Sequence, residues 1–338
     1  MRDWVSARPR PSFFTFLVSL AFALAATWAA GNLQRIADQF SYWDFEPSAA
    51  VESYAERSSM TDEGQFLFFA SHPAISSGDE FDDVCSSSVE EEFGILGCYL
   101  PAPKTIFLFD VADDRLAGLE EVVASHELLH AVWDRLSTDE RAELAPLLEA
   151  EAAQLETDED FAERLQLYDR IEPGERLNEL HSILGTEVAA LSPELEEHYA
   201  RYFADRAALT ALHEASNAVF LEHQAQIEAL VSELDALAIE IEADYDAYND
   251  GYDQLNADIA SFNARADSGA FRSQSEFDRE RSALLARQDQ LDADYASIQA
   301  KADDYDALVV QLDELNAEVD ELNASINIDP PRSPVESE

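Results

Sequence analysis

The sequence predicts a mainly α-helical protein: an N-terminal membrane helix, a small α+β domain and a long antiparallel helical hairpin. Three observations carry this. Phe13–Ala30, FFTFLVSLAFALAATWAA, is an uncharged run of 18 residues, just long enough to cross a hydrocarbon core. Between Gly64 and Val111 two β-rich runs bracket the chain's two cysteines. From Ala215 to Ile326 apolar residues recur at every seventh position, as a coiled-coil seam requires.

The apolar run is preceded by Arg2, Arg8 and Arg10, with only Asp3 opposing them, so the positive-inside bias places residues 1–12 in the cytoplasm and the bulk of the chain outside. A cleaved signal peptide would instead give a secreted protein, but Thr27-Trp28-Ala29 is a poor small-x-small cleavage site. An uncleaved single-pass anchor over 13–30 is therefore expected, with 31–60 linking it to the domain. Outside the cell the two cysteines, Cys85 and Cys98, are expected to form a disulfide, worth about 3 kcal/mol in the chain-entropy description.

Against 71 acidic residues stand 21 basic ones, a formal net charge of -50 that repels phosphate backbones and excludes nucleic acid as a partner. The basic residues are nearly all Arg, since only Lys104 and Lys301 are Lys. Such an acid-rich, Lys-poor surface is of the kind that keeps a protein soluble in high salt.

Within the domain, residues 61–214, the stretch GQFLFFASHPAI (Gly64–Ile75) reads as a strand followed by a turn at His72-Pro73, and Thr105–Val111 reads as a second strand. From Leu116 onward the pattern is helical, broken at Pro173-Gly174 and near Ser192-Pro193.

Residues 215–326 carry two ladders. Phe220, Ile227, Leu234, Ile241, Tyr248, Leu255 and Phe262 form the first; Phe277, Leu284, Leu291, Ile298, Tyr305, Leu312, Val319 and Ile326 form the second. They mirror each other about a turn near 267–271, where Asp267-Ser268-Gly269 supplies turn chemistry. Phe262 then faces Phe277, Leu255 faces Leu284, and the pairing continues outward to Phe220 with Val319. Two antiparallel arms need such matched layers and a single continuous helix does not, so a hairpin is expected, each arm about 65 Å long at 1.5 Å per residue. Asp244 and Gly251 interrupt the seam. Tyr245, Tyr248, Tyr252, Tyr295 and Tyr305 gather near mid-arm, where rings pack and hydroxyls stay wet. The last stretch, 327–338, is rich in Pro and charge and is expected to be a disordered tail.

The chemistry concentrates in EEVVASHELLHAVWDRL, Glu120–Leu136. His126 and His130 are one helical turn apart, so both imidazoles leave the same face and can meet one zinc ion. Glu127 stands beside the first, placed to take a proton from water, and uncharged residues from Val122 to Trp133 otherwise surround the motif. The run Val123-Ala124-Ser125-His126-Glu127-Leu128-Leu129-His130-Ala131-Val132 resembles the extended signature of the zincin metallopeptidases. The resemblance implies Zn2+ as cofactor, a peptide or protein substrate, and a sheet edge strand lying over the motif helix, a role for which Thr105–Val111 is the candidate.

A catalytic zinc needs a third protein ligand. The metzincin arrangement fails, because Trp133 and Leu136 stand where its Gly and third His would be. Gluzincins take a Glu from a later helix, often preceded by Asn; Asn178-Glu179 matches, making Glu179 the first choice, His181 the alternative and Glu187 a weaker one. Their usual Asp four residues after that Glu is Ile183 here, leaving another carboxylate such as Asp134 to orient a ligand. Tyr199, Tyr202 and His198 are candidate donors to a developing oxyanion. His72, His213 and His223 have no metal-like spacing, and no phosphate loop or serine nucleophile elbow is present. The expected function is a membrane-anchored, extracytoplasmic zinc metallopeptidase with Glu127 as general base. The alternative is a non-catalytic cell-envelope scaffold that binds a protein partner through the hairpin.

Overall fold

The computed structural model describes residues 13–85, 96–155, 161–162, 165 and 174–326. The expectations for 1–12, for Pro173 and for the tail 327–338 lie outside them. The chain forms two compact units, one made by the residues up to Asn217 with those from Asn323 onward, the other by Ala218–Leu322.

The first unit begins with α1 (Phe13–Gly31) and α2 (Leu33–Asp44). Among the described residues no single helix is long and apolar enough to cross a membrane; Phe16–Ala29 and Leu33–Asp44 pass that test together, bent by 74°. The stretch 31–60, read as a linker, folds into α2 and α3 (Ala49–Arg57), and Val51, Tyr54, Ala55 and Met60 are buried in the domain core.

The expected strand at Gly64–Ile75 is corrected to a helix, α4 (Asp62–Ala70), followed by a three-residue strand β1 (Ala74–Ser76). Thr61 caps α4 by accepting from the Gly64 N–H, and Asp62 and Glu63 lie in the first turn where the helix dipole favours acids. The Phe66–Phe69 run, β-like by propensity, is buried or packed on the core on both sides, so tertiary contacts outweigh propensity. The turn at His72 is present, with φ of 44°.

After α5 (Asp79–Cys85) come β2 (Gly97–Leu100) and β3 (Thr105–Phe109). Sheet order is β1-β3-β2, with β1 parallel and β2 antiparallel to β3. The second expected strand is therefore central, not at an edge: β3 is hydrogen-bonded on both sides, and β1 and β2 are the edge strands. Cys85 and Cys98 are disulfide-bonded, their Cα atoms 5.9 Å apart, joining the end of α5 to β2.

Helix α6 (Leu119–Arg135) carries the histidines through the centre of the unit. Its Ala124, Leu128, Leu129 and Ala131 are fully buried, and each such leucine contributes roughly 1.5–3 kcal/mol of burial. Then follow α7 (Thr138–Leu155), α8 (Arg176–Thr186) and α9 (Pro193–Tyr199). Helix α8 packs along α6, burying Leu180, Ile183 and Leu184. Gly185 permits that approach, because a Cβ there would lie 2.4 Å from Leu129 Cδ1 and 2.7 Å from Tyr199 Cε1.

The second unit, Ala218–Leu322, is the expected hairpin, made by most of α10 (Arg206–Asp267) and α11 (Gln274–Ser325). The unit begins at Ala218, close to the expected start at Ala215, although α10 itself begins at Arg206. Gly269 has φ of 66° in the turn. The matched layers are present: Phe262 and Phe277 rings lie 5.0 Å apart, joined by Phe271. The interruptions in the seam have partners too. Asp244 receives Lys301 Nζ at 2.9 Å from the other arm, and Gly251 leaves room for Leu291. Tyr248 packs on Tyr252 of its own arm and on Tyr295 of the other, as ordinary ring packing would have it.

Candidate metal centre

Two helices build the site. The 3.6-residue repeat puts His126 and His130 on one face of α6, with ring centroids 4.7 Å apart. The close packing of α8, allowed at Gly185, brings Glu179 to meet them. Glu179 Oε1 lies 3.6 Å from His130 Nε2 and Glu179 Oε2 lies 3.8 Å from His126 Nε2. One ligand atom from each of the three residues falls within 4.8 Å of the others, so the group could hold a metal ion. Bonds of 2.0–2.1 Å at tetrahedral angles place donor atoms about 3.3 Å apart, so a small inward movement of the side chains would close the set on a cation of zinc's size. Two nitrogens and a carboxylate oxygen are a donor set that zinc accepts.

Burial argues in the same direction. The His126, His130 and Glu179 side chains are 13%, 11% and 3% exposed. A carboxylate in that environment is costly to keep charged unless a cation faces it. The site also holds its ligands in register: His130 Nδ1 lies 3.0 Å from Asn178 Oδ1 and 3.2 Å from Ser182 Oγ. With Nδ1–H donating to Asn178, the Nε2 lone pair is left to point at the metal position.

Sequence reasoning missed Ser182 altogether and cited Asn178 only as the neighbour of Glu179. The signal was available, since Ser182 follows Glu179 by three residues on the same helical face. Asp134 does not take the orienting role offered to it. It binds Lys104 Nζ and accepts from Tyr99 Oη at 3.0 Å. Burial alone would raise its pKa, yet the hydrogen bonds from Lys104 and Tyr99 outweigh it and hold the carboxyl below its usual value. Ile183, where gluzincins have Asp, is buried in the core.

The other candidates form a separate cluster. His181, fully buried, turns Nε2 to His198 Nε2 at 2.8 Å, and it is absent from the metal-competent group. Burial pushes the pKa of both rings down, that of His198 to about 4, which keeps them neutral. Tyr199 Oη donates to the His181 carbonyl at 2.8 Å, and Tyr202 Oη accepts from Arg201. Each of the three proposed oxyanion donors thus has a hydrogen-bond contact here, and the Tyr199 hydroxyl is committed to the His181 carbonyl. Glu187 instead lies 4.0 Å from His213.

Glu127 is buried and lies against strand β2. A Cβ at Gly97 would stand 2.8 Å from Glu127 Oε1 and 2.7 Å from Val123 Cγ1, so only glycine lets β2 settle onto the motif helix there. Strand β2 is fastened at further points, by Cys98 to α5 and by Tyr99 Oη to Asp134 and Arg135. No family model, curated protein or solved structure matches the chain.

Proposed function

We propose that the first unit is a membrane-anchored, outward-facing zinc hydrolase of the zincin type, acting on peptide bonds. The observation that supports it most is the convergence of His126, His130 and the buried Glu179 from two helices, with Glu127 next to His126 on the motif helix. When bound by those three residues, zinc supplies Lewis acidity, which makes water a stronger acid and polarises a carbonyl. Glu127 takes the proton from water and returns it to the leaving amine. Asn178 and Ser182 keep the His130 ring turned, and β2, paired among the described residues on one side only, offers its other edge to an extended substrate backbone.

The test is metal content of the purified chain followed by cleavage of a peptide library by the native protein and by Glu127→Gln. Zinc near one per chain with cleavage lost in the variant supports the reading. A second reading has the metal only bracing the α6–α8 packing while the hairpin serves as an envelope scaffold. The low exposure of Glu127 and the tight cover of β2 favour it, and it expects zinc in both proteins with no Glu127-dependent cleavage.

A further inference from the structure

Helix α2 is amphipathic in the opposite sense to a helix that packs only on its own domain. Its inward face is largely polar, apart from Tyr42 packed on Phe66 and Phe69. Asp38 is buried, bonded to Arg135 at 2.9 and 3.1 Å and to Gln34 at 2.9 Å, and Ser41 Oγ donates to the Ala70 carbonyl at 2.8 Å. Its outward face carries three large apolar side chains, Leu33, Phe40 and Trp43, 66%, 63% and 69% exposed, with the carboxylate of Asp44 at its C-terminal end. At 100° per residue these three fall on one stripe, on the side away from Asp38. A surface helix in water places such residues the other way round.

The stripe begins two residues after α1 ends, and α1 has Phe22, Leu24 and Trp28 exposed as well, Phe22 at 77%. Between the two helices the chain bends by 74°. An apolar helix followed, after a near-right-angle bend, by a helix with Trp and Phe facing outward is the arrangement of a membrane insertion continued along the interface. We infer that α2 is a seating helix, lying along a lipid bilayer surface with Leu33, Phe40 and Trp43 in the boundary between headgroups and acyl chains. The inference takes α1 as the membrane anchor and is independent of any metal chemistry. The attraction is apolar, because a net charge of -50 disfavours anionic headgroups.

One consequence concerns the metal site. Arg135, the inward partner of Asp38, belongs to the same helix as His126 and His130, so the buried ion pair couples the seated helix to the motif helix. The site is then held at a set height above the lipid.

The test uses the full chain, in which both cysteines are in the disulfide, reconstituted in phosphatidylcholine nanodiscs. Single spin labels are placed through Leu33→Cys, Phe40→Cys, Trp43→Cys and, as the anchor control, Phe22→Cys. Collision with oxygen exceeding collision with a water-soluble nickel chelate several-fold at 33, 40 and 43, at a depth of about 5–10 Å, is the expected result. A label at 33 should turn nickel-accessible when Phe40→Ser and Trp43→Ser are added, while the helical signal of the chain is unchanged. Free access of nickel to 33, 40 and 43 with Phe22→Cys still oxygen-accessible would overturn the seating helix and spare the anchor. Exclusion of both reagents there would overturn it in favour of a covering protein, a second copy or another chain. Nickel access at Phe22→Cys would overturn anchor and seating together, leaving the metal reading untouched.

Discussion

Asn178 does what the sequence had suggested for a carboxylate: it fixes the ring of His130, a member of the candidate metal group, from 3.0 Å away. Orienting partners of this kind are worth 10–100-fold in metal affinity, so Asn178→Ala should weaken zinc binding by about that factor, measured by competition with a chromophoric chelator. Glu127→Gln should behave in the opposite manner, keeping its zinc while the rate of peptide cleavage falls by roughly 10²–10⁴-fold. Equal loss of metal from both variants would mean that Glu127 shapes the site and does not transfer protons. Gly97→Ala should overpack the β2–α6 contact, costing about 1–3 kcal/mol in chemical denaturation.

His198 makes a pH-dependent contribution of definite sign. Its folded pKa is lowered from 6.5 to about 4 by burial first and by Arg201 next, so between those pH values the unfolded chain binds more protons. Stability should therefore be full above about pH 6.5 and fall as pH drops toward 4, by on the order of 3 kcal/mol. The metal-free protein and its His198→Gln variant, unfolded in urea across that range, should differ mainly in this slope.

At the scale of elements, burial decides which ion pairs matter. Asp38 and Arg135 side chains are 4% and 7% exposed where α2 meets α6, and removing one partner strands the other charge. Asp38→Ala should cost about 3–5 kcal/mol, whereas Asp38→Leu with Arg135→Met should be close to neutral. Lys301 bridges the hairpin arms to Glu240 and Asp244 with side chains 30–62% exposed, and Lys301→Ala should change stability far less than Asp38→Ala does. Urea unfolding of the three proteins distinguishes these magnitudes.

At the scale of the whole molecule, charge and the division into two units set the expectations. A chain carrying -50 repels itself at low ionic strength, and screening shortens the reach of that repulsion from about 10 Å at 0.1 M salt to about 3 Å at 1 M. Its Tm should rise over that range of sodium chloride, and a Tm that falls would show that the ion pairs outweigh the repulsion. Because Ala218–Leu322 has its own seam and cross-arm contacts, excising it and bridging Asn217 to Asn323 with a short Gly-Ser linker should leave zinc binding intact.

Where a repeat has one geometric solution, the amino-acid sequence alone determined the outcome. The seven-residue ladders and their mirror point required a hairpin with Phe262 on Phe277, and the i, i+4 spacing required His126 and His130 to share a face, because 3.6 residues per turn leaves no other placement. Pairing of Cys85 with Cys98 was legible for the simpler reason that the chain has no other cysteine. The tertiary structure decided what local pattern leaves open. Gly64–Ala70 is a helix because a Thr61 cap and burial outweigh its β-like composition. Which strand ends the sheet, which carboxylate reaches the histidines and which face of α2 turns outward all depend on contacts between distant segments. Gly97 and Gly185 show the cause: the approach of two elements is set by side chains they do not have, and no period along one segment reports what the other brings.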